Sequence, residues 1–465
     1  MPSRSINNSI RTPLLLLGIV EASSLFVAVH IAGVVIYGSL QDSEQLLGPL
    51  LPRALTVALV MFVALISVGL YQFHQRVILR EVFVRIAVAV SVSGLVLAAI
   101  FYFLPVVAMP LAMVSLSGVI ALLLLLLVRF AFVRNVDENI FRRRTLIYGA
   151  GDRAATISSL RRRADRRGFK IVGQIAAPGD TQIANMQSVL AKEKPLIETA
   201  RETKAEEIVI AMDDRRGNMP VRELLDCKLH GIEVIDLVEF LERETGMIRI
   251  DLVNPGWLIF TPGFRVGALR RATERVMDVC VGTVVLLLTW PLMLLVALAV
   301  KVEDGLNAPV IYKQERVGLH GDTFEVLKFR SMRVDAERDG KPVWADENDD
   351  RITRIGKFLR KYRLDELPQS FNVLKGEMSL VGPRPERPEF VSELTERIQY
   401  YAERHTVKPG VTGWAQLRYP YGSSEEDAAA KLQYDLYYVK NQSLMLDLMI
   451  LLQTMEVVLW GKGAR

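Results

Sequence analysis

Residues 279–300, VCVGTVVLLLTWPLMLLVALAV, decide how this chain is built. The stretch carries no charge and reaches the ~20 apolar residues a helix needs to cross a bilayer. Its centre holds Trp290-Pro291, and proline both removes a main-chain hydrogen bond and clashes with the preceding turn, so a helix kinks or breaks there. Length and composition alone favour a kinked crossing. The choice turns on which side of the membrane the flanking sequence must occupy.

Upstream, apolar segments at 14–37, 54–71, 82–104 and 106–128 approach span length. The first is too long, and too directly followed by others, for a cleavable signal peptide. Arg4 and Arg11 precede it, Arg76 and Arg80 lie between the second and third, and Arg129, Arg134 and Arg142-Arg143-Arg144 follow the fourth. The opposite side carries Asp42, Glu44 and only Arg53. This asymmetry predicts a cytoplasmic N-terminus and a cytoplasmic chain after a four-helix transmembrane region, 1–135. A fifth crossing would carry the charged C-terminal region outside, away from cytosolic nucleotides. A re-entrant helix over 276–302, bending at Pro291 and leaving on the side it entered, resolves the parity. Arg275 and Asp278 before the apolar block 279–300, and Lys301, Glu303 and Asp304 after it, are the expected headgroup anchors.

Composition agrees. The 465 residues are 51% hydrophobic, with mean hydropathy +0.24, too apolar for an ordinary soluble protein and long enough for two or three domains. A net charge of +5 suits an anionic partner: lipid headgroups, a phosphorylated substrate or nucleic acid. The basic residues sit beside membrane segments rather than on a separate basic domain, which disfavours nucleic acid. Two cysteines, Cys227 and Cys280, make no disulfide framework and suit a cytosolic setting for the polar regions.

Between the fourth segment and residue 279, RTLIYGAGDRAATISSLRR reads as strand, turn and helix, with Gly149, Gly151 and Ala154 at dinucleotide-loop spacing. Further strands are expected at 170–175, 207–211 and 232–235, giving a doubly wound α/β domain over 140–255 and a linker over 256–270. The second strand, however, ends without an acidic residue placed to hold a ribose. No tyrosine occurs between Tyr148 and Tyr312 to supply the Tyr/Lys pair of an epimerase or dehydratase. The reading is a structural or regulatory Rossmann-like module, and no NAD is expected.

The C-terminal region, 271–465, concentrates the chemistry. The acids Asp346, Glu347, Asp349 and Asp350 could bind metal, but such runs are usually solvated surface. In RITRIGKFLRKYRLDELPQ, Ile352, Ile355, Phe358 and Leu359 share one helical face, with Arg354, Lys357, Arg360 and Lys361 around the rest, a pattern suited to a membrane surface. Pro368 belongs in the first turn of a helix, so a helix start is expected near Asp365, whose charge would lie at the positive helix end. The alternative is an N-cap Asp365 followed by a solvated Glu366.

NDDRITRIGKFLRKYRLDELPQSFNVLKGEMSLVGPRPE, followed by HTVKPGVTGWAQLRY, resembles the polyprenyl-phosphate hexose-1-phosphate transferases of the monotopic phosphoglycosyl transferase superfamily, from about Arg271 to the C-terminus. The spans and α/β module resemble its large bacterial members. The tail GWAQLRYPYGSSEEDAAAKLQYDLYYVKN is most similar to the branch linked to exosortase-associated exopolysaccharide systems. The resemblance implies three parts: a membrane α-helical bundle, an α/β Rossmann-like cytosolic domain, and a mixed, mainly α-helical monotopic catalytic domain with a re-entrant membrane helix. The implied reaction moves sugar 1-phosphate from a UDP-hexose to undecaprenyl phosphate at the cytoplasmic face of the bacterial inner membrane, releasing UMP.

By the same resemblance Asp365 is the nucleophile, and Glu366 completes the dyad and helps hold Mg²⁺ with Asp365. Arg360, Lys328, Arg330 and the Pro383-Arg384-Pro385 turn bind phosphate and nucleotide, and a homodimer forms through the added domains. Two departures stand out. Trp290 occupies the place where the family often has serine, so Thr289 is expected to bond the carbonyl freed by Pro291, and Asn348-Asp349-Asp350-Arg351 replaces the usual Asn-Asp-Pro-Arg. The rival readings are a membrane-tethered nucleotide-sugar oxidoreductase or epimerase built on Gly149–Ala154, and a non-enzymatic sensor.

Overall fold

The structure is a computed structural model, and it describes residues 12–71, 79–135, 142–160, 165–166, 168–180, 189–190, 194–215, 218–253, 255–264, 267–305, 307–333, 351–419, 422 and 424–460. The acids from Asp346 to Asp350 lie outside these residues. The chain divides into two compact units, Met1–Phe240 and Leu241–Arg465.

The first unit opens with apolar helices α1 (Thr12–Tyr37), α3 (Leu50–Ser67), α4 (Leu79–Phe103) and α5 (Leu111–Asn135), with the short, more polar α2 (Leu40–Leu47) between α1 and α3. With the long helix of the second unit, four helices among the described residues are long and apolar enough to cross a membrane, or five if the pair α2 and α3, bent by 91°, counts as one span. This is the architecture of a membrane protein. The segment expected at 106–128 runs seven residues further, after a short 3₁₀ turn at Pro105–Val107.

That shift changes what Arg129 does. It lies within α5, buried, with Nε 2.5 Å from Glu21 Oε1 of α1 and Nη1 donating to Leu70 O at 3.0 Å, while the Tyr71 hydroxyl donates to Glu21. A charge inside an apolar bundle is tolerated only when paired in this way. Arg53, the one basic residue assigned to the opposite side, is also buried, donating to Ala108 O at 3.1 Å and Pro49 O at 2.8 Å.

The rest of this unit is a five-stranded, all-parallel sheet in the order β3-β2-β1-β4-β5. Its strands are β1 (Arg143–Tyr148), β2 (Phe169–Ile175), β3 (Val189–Leu190), β4 (Glu207–Ile210) and β5 (Glu233–Asp236). Helices α6 (Asp152–Ser158), α7 (Leu196–Glu202) and α8 (Val221–Leu229) accompany them, and α9 (Leu237–Thr245) follows. Leu146, Tyr148, Ile208 and Ile210 pack with Leu196, Ala200, Leu224 and Cys227 in one core. The predicted strands agree to within a residue or two, and β3 is an addition.

The second unit contains α10 (Pro255–Phe260), α11 (Ala268–Asp304), the antiparallel pair β6 (Ile311–Val317) and β7 (Thr323–Phe329), α12 (Arg354–Lys361), a 3₁₀ turn (Leu364–Glu366) and α13 (Gln369–Lys375). After these come β8 (Ser379–Val381), α14 (Pro388–Arg397), β9 (Gly410–Thr412), α15 (Trp414–Arg418), α16 (Glu425–Asn441) and α17 (Leu444–Trp460). Helix α11 runs without interruption through Pro291. Thr289 does not bond the Leu287 carbonyl that Pro291 leaves free; its hydroxyl donates to Val285 O at 2.7 Å, one turn back on its own helix.

Both ends of α11 are tied to the segment from α12 to α13. Arg275 donates to the last-turn carbonyls of α13, Val373 O at 2.7 Å and Leu374 O at 2.6 Å. Glu303 accepts from the first amides of α12, Arg354 N at 2.8 Å and Ile355 N at 3.0 Å, and Thr353 Oγ1 accepts from Gly356 N. These are the main-chain groups that a helix cannot satisfy within itself. Between the ends, Leu287, Leu288, Trp290, Leu294 and Leu295 are exposed, an apolar face that water would not favour.

The stretch from Glu242 to Ile248 is tied by polar contacts into the second unit. Glu242 pairs with Lys440 Nζ at 2.5 Å and accepts from Asn441 Nδ2, Trp414 Nε1 donates to Gly246 O at 2.7 Å, and Ile248 N donates to Gln433 O at 2.9 Å. A chain starting at Leu241 is therefore expected to keep a cooperative thermal transition, whereas one starting at Pro262 loses these partners. Its midpoint should fall by at least ~2 °C, the lower end of the shift expected for about 1 kcal/mol in a domain of this size. Equal midpoints in detergent would contradict this assignment.

Candidate active site

The strand β7 delivers Lys328, and the hairpin partner β6 delivers Arg316. Asn372 of α13 locks this strand in place. Its Oδ1 accepts from Leu327 N at 3.1 Å, and its Nδ2 donates to Glu325 O at 2.7 Å. The third wall is the turn after β8, where Gly382, Gly410 and Gly413 let two main chains meet: a Cβ on Gly410 would lie 2.0 Å from Gly382 N. The Pro383-Arg384-Pro385 turn is held through its carbonyls. Gly410 N donates to Pro383 O at 2.9 Å, Arg404 Nη2 to Arg384 O at 3.0 Å, and Arg316 Nη1 to Pro385 O at 3.1 Å.

Asp365 and Glu366 enter this space from the 3₁₀ turn that follows α12. Arg363, in the left-handed conformation at φ 57°, ends the helix and throws the chain into that turn. The expected helix start near Asp365 is thus displaced: α13 begins at Gln369, after Pro368, and the dyad lies ahead of it. Cations, not the dipole of this seven-residue helix, dominate the electrostatics.

Glu366 Oε1 is 3.0 Å from Arg384 Nη2, 3.3 Å from Lys328 Nζ and 3.7 Å from Arg363 Nη1. Burial opposes its ionisation, but Arg384, Lys328 and Arg363 outweigh burial and hold its carboxyl well below the usual range. Asp365 is buried too, and its Oδ1 has no hydrogen-bond partner among the described residues. Burial and the adjacent Glu366 charge push it above its ordinary value, against Lys328, Arg360 and Arg363. Burial also lowers the Lys328 ammonium, with Glu366 opposing. Two neighbouring carboxylates thus have their proton affinities driven apart, a pattern that marks distinct acid, base or nucleophile roles.

Of the residues expected at the site, Glu366, Lys328 and Arg384 come together directly, and Asp365 beside them feels Lys328 through its charge. Arg360 donates Nε to Ser331 Oγ at 3.0 Å and acts on Asp365 through its charge. Arg330 turns away, donating to Pro309 O at 2.9 Å. Pro383 and Pro385 contribute carbonyls and a rigid path. On α12, Leu359 is buried, whereas Phe358 is exposed and packs on the exposed Tyr362, ring centroids 4.7 Å apart.

Sequence reasoning missed Arg363, Arg316 and the buried pair Arg404–Asp435. Arg404 Nη2 lies 2.8 Å from Asp435 Oδ2, and Nη1 donates to the Tyr401 hydroxyl at 2.8 Å. The stretch ERHTVKPG, rich in charge beside a turn, was the available signal for Arg404. Asp435 gave none, since it stands in an ordinary amphipathic helix. Breaking a buried pair leaves an uncompensated charge, so Asp435→Asn is expected to destabilise the protein by about 3–5 kcal/mol. The double variant Arg404→Met, Asp435→Leu should lose less. Thermal denaturation in detergent checks both, and a single variant as stable as the parent would contradict the pairing.

Among known proteins, the family model for bacterial sugar transferase matches residues 269–461. The chain is 40% identical over 256 residues to the UDP-N-acetylgalactosamine-undecaprenyl-phosphate N-acetylgalactosaminephosphotransferase of Aeromonas hydrophila, covering 54% of this chain and 58% of that protein. It is 34% identical over 328 residues to the UDP-glucose:undecaprenyl-phosphate glucose-1-phosphate transferase of Klebsiella pneumoniae, covering 70% of this chain and 69% of that protein. It is 30% identical over 342 residues to the undecaprenyl-phosphate galactose phosphotransferase of Salmonella typhimurium, covering 70% of each. The dyad and its cations all fall inside the matched region, and the chain belongs to the bacterial sugar transferase family.

Proposed function

We propose that this protein transfers a hexose 1-phosphate from a UDP-sugar to undecaprenyl phosphate, releasing UMP, as the first step of an exopolysaccharide or O-antigen-type glycan. The observation that carries the reading is the buried Asp365, one carboxylate oxygen without a partner among the described residues, inside a ring of cations suited to a polyanion. The names of the relatives point to the same class of reaction, though they differ in the sugar.

Asp365 attacks the phosphorus that bears the sugar. A bond forms from its carboxylate oxygen to phosphorus, the bond from phosphorus to the bridging oxygen breaks, and UMP departs with that electron pair. A phosphate oxygen of the lipid then attacks the same phosphorus and expels the Asp365 carboxylate, leaving a lipid diphosphosugar and the free enzyme. Lys328 and Arg384, already converged on Glu366, offset the charge of the diphosphate, and Arg360 and Arg363 favour the ionised nucleophile. The Asp365 and Glu366 carboxylates also suit Mg²⁺, a hard ion that takes one or two carboxylates plus substrate phosphates, and the unpartnered Asp365 oxygen is a fitting ligand. When bound, the ion would neutralise phosphate charge.

Enzyme given UDP-sugar without lipid is expected to release up to one equivalent of UMP and to carry a hexose phosphate on the peptide containing Asp365. Asp365→Asn should lose both burst and turnover. UMP release that requires the lipid, with no adduct trapped, would favour direct attack by the lipid phosphate. A panel of UDP-sugars in the same assay identifies the hexose.

The raised proton affinity of Asp365 sets a pH signature. The nucleophile must be ionised, so activity falls as pH drops through a value above that of an ordinary aspartate. Glu366→Gln removes a charge that raises this value, so the acid limb of residual kcat/KM should move to lower pH. Lys328→Gln removes a cation that lowers it, and the limb should move to higher pH. Limbs that stay fixed in both variants would exclude Asp365 as the titrating group.

We further propose that α11 is re-entrant, bending at Pro291, with the catalytic unit on the cytoplasmic face of the inner membrane. The anchoring of Arg275 and Glu303 to one polar segment, and the exposed apolar residues between them, support this reading. The parallel sheet is read as a Rossmann-like module, dispensable for the chemistry. Single cysteines at Arg271 and Asp304, in a background lacking Cys227 and Cys280, should be equally shielded from an impermeant thiol reagent in intact cells. Labelling at Asp304 alone would make α11 a crossing.

A further inference from the structure

The sheet order places the switch point between β1 and β4, and in open α/β sheets ligands bind in the crevice beyond the carboxyl ends of the strands at such a point. A dinucleotide bound there would set its pyrophosphate on the loop amides that follow β1. In this protein those amides are already engaged by the chain's own carboxylates. Asp213, just beyond β4, accepts from Asp152 N at 3.0 Å through Oδ2 and from Arg153 N at 2.8 Å through Oδ1. Asp180, beyond β2, accepts from Ala150 N at 2.7 Å and Ala177 N at 2.9 Å through Oδ2, and from Asp213 N at 3.2 Å through Oδ1. The two acids thus form one network across the mouth of the crevice.

Gly151 shows how tightly the network fits. A Cβ at this position would lie 1.7 Å from Asp213 Oδ2, far inside any tolerable contact. The glycine that would let a pyrophosphate approach in a dinucleotide fold lets an aspartate approach here. Farther along the same edge, Arg215 grips Asp236 at the end of β5, Nη1 to Oδ2 at 2.5 Å and Nη2 to Oδ1 at 2.9 Å, while Nη2 also donates to Ile210 O. An incoming pyrophosphate would have to displace two carboxylates that accept five main-chain bonds, and would meet their charge while doing so.

We infer that the glycine loop of this α/β module is self-liganded: Asp213 and Asp180 occupy the amides a dinucleotide needs, Gly151 serves the approach of Asp213, and the module takes no dinucleotide. The inference rests on the parallel sheet and its strand order, and it goes beyond the transferase reading because it concerns a loop outside the catalytic unit.

The test uses full-length protein in detergent. Hydrogen exchange without added nucleotide should show the amides of Ala150, Asp152 and Arg153 protected, and protection of β1 and β4 in the same experiment reports the sheet independently. Titration with NADH, followed by its fluorescence, should show no saturation up to ~1 mM, a range that excludes Kd values of about 0.1 mM and tighter. In a thermal double-mutant cycle, Gly151→Ala and Asp213→Ala should each lower the midpoint, and the double variant should fall no further than the worse single one. If Asp213→Ala does not fold, Asp213→Ser, which shortens the side chain and keeps one accepting oxygen, takes its place in the cycle. Saturable NADH binding by the parent, unprotected loop amides within a protected sheet, or additive effects of the two substitutions would each overturn the inference.

Discussion

The catalytic unit depends on the way one apolar helix is held by its ends. An α-helix leaves its first amides and last carbonyls without internal partners, and α11 supplies what two such ends lack. Arg275 takes the final carbonyls of α13, and Glu303 takes the first amides of α12. Each charge also has the sign that the helix dipole favours, a cation at a C-terminus and an anion at an N-terminus. Packing completes the attachment. Val296 and Val300 near the far end of α11 share a core with Phe329 and Leu359, while Gly282 near the other end closes on Val373 and Leu374. The turn that carries Asp365 and Glu366 lies between α12 and α13, so a displacement of either end of α11 would move the dyad against Lys328 and Arg384.

Behind the dyad the protein gathers more positive charge than its two carboxylates require. Lys328, Arg360, Arg363 and Arg384 bear on the same region, with Arg316 beside them paired to Glu386 at 3.4 Å, and burial depresses the proton affinity of Lys328 and Arg316. Such an excess is unfavourable in the free protein and is relieved by a polyanion. The Arg404–Asp435 pair belongs to a separate layer. It supports the Arg384 carbonyl from behind and is itself closed by Tyr401, so it stiffens the turn without adding net charge.

Much of this was legible in the sequence, and what was not has a common physical cause. Periodicity and turn chemistry located the strands β1, β2, β4 and β5, most of the apolar helices, and the crowding of acid and base around Asp365. These features arise from residues close together in the chain. Pairings across long separations were illegible. Glu21 and Arg129 are 108 residues apart, Asp152 and Asp213 are 61 apart, and only folding shows that they meet. A buried charge leaves a weaker trace, because its partner can lie on any other element. Glu21, alone in an apolar run, was the clearest hint available. The 3₁₀ turn escaped for a different reason: the left-handed Arg363 that creates it is not a residue type that announces positive φ.

That turn accounts for the unequal fate of two adjacent carboxylates. Successive side chains of a 3₁₀ turn diverge by about 120°, so Asp365 and Glu366 leave the turn in different directions. Glu366 points into the cations and is held ionised by Arg384, Lys328 and Arg363, all three on its Oε1. Asp365 receives those cations only at longer range and keeps Oδ1 free of hydrogen bonds among the described residues, while burial and the Glu366 charge raise its proton affinity. A carboxylate of higher proton affinity is the better nucleophile once ionised, and one without hydrogen bonds gives up none on attack. Under the proposed mechanism, the residue with fewer partners is the one suited to react, and the residue with more is the one suited to hold the cations in place.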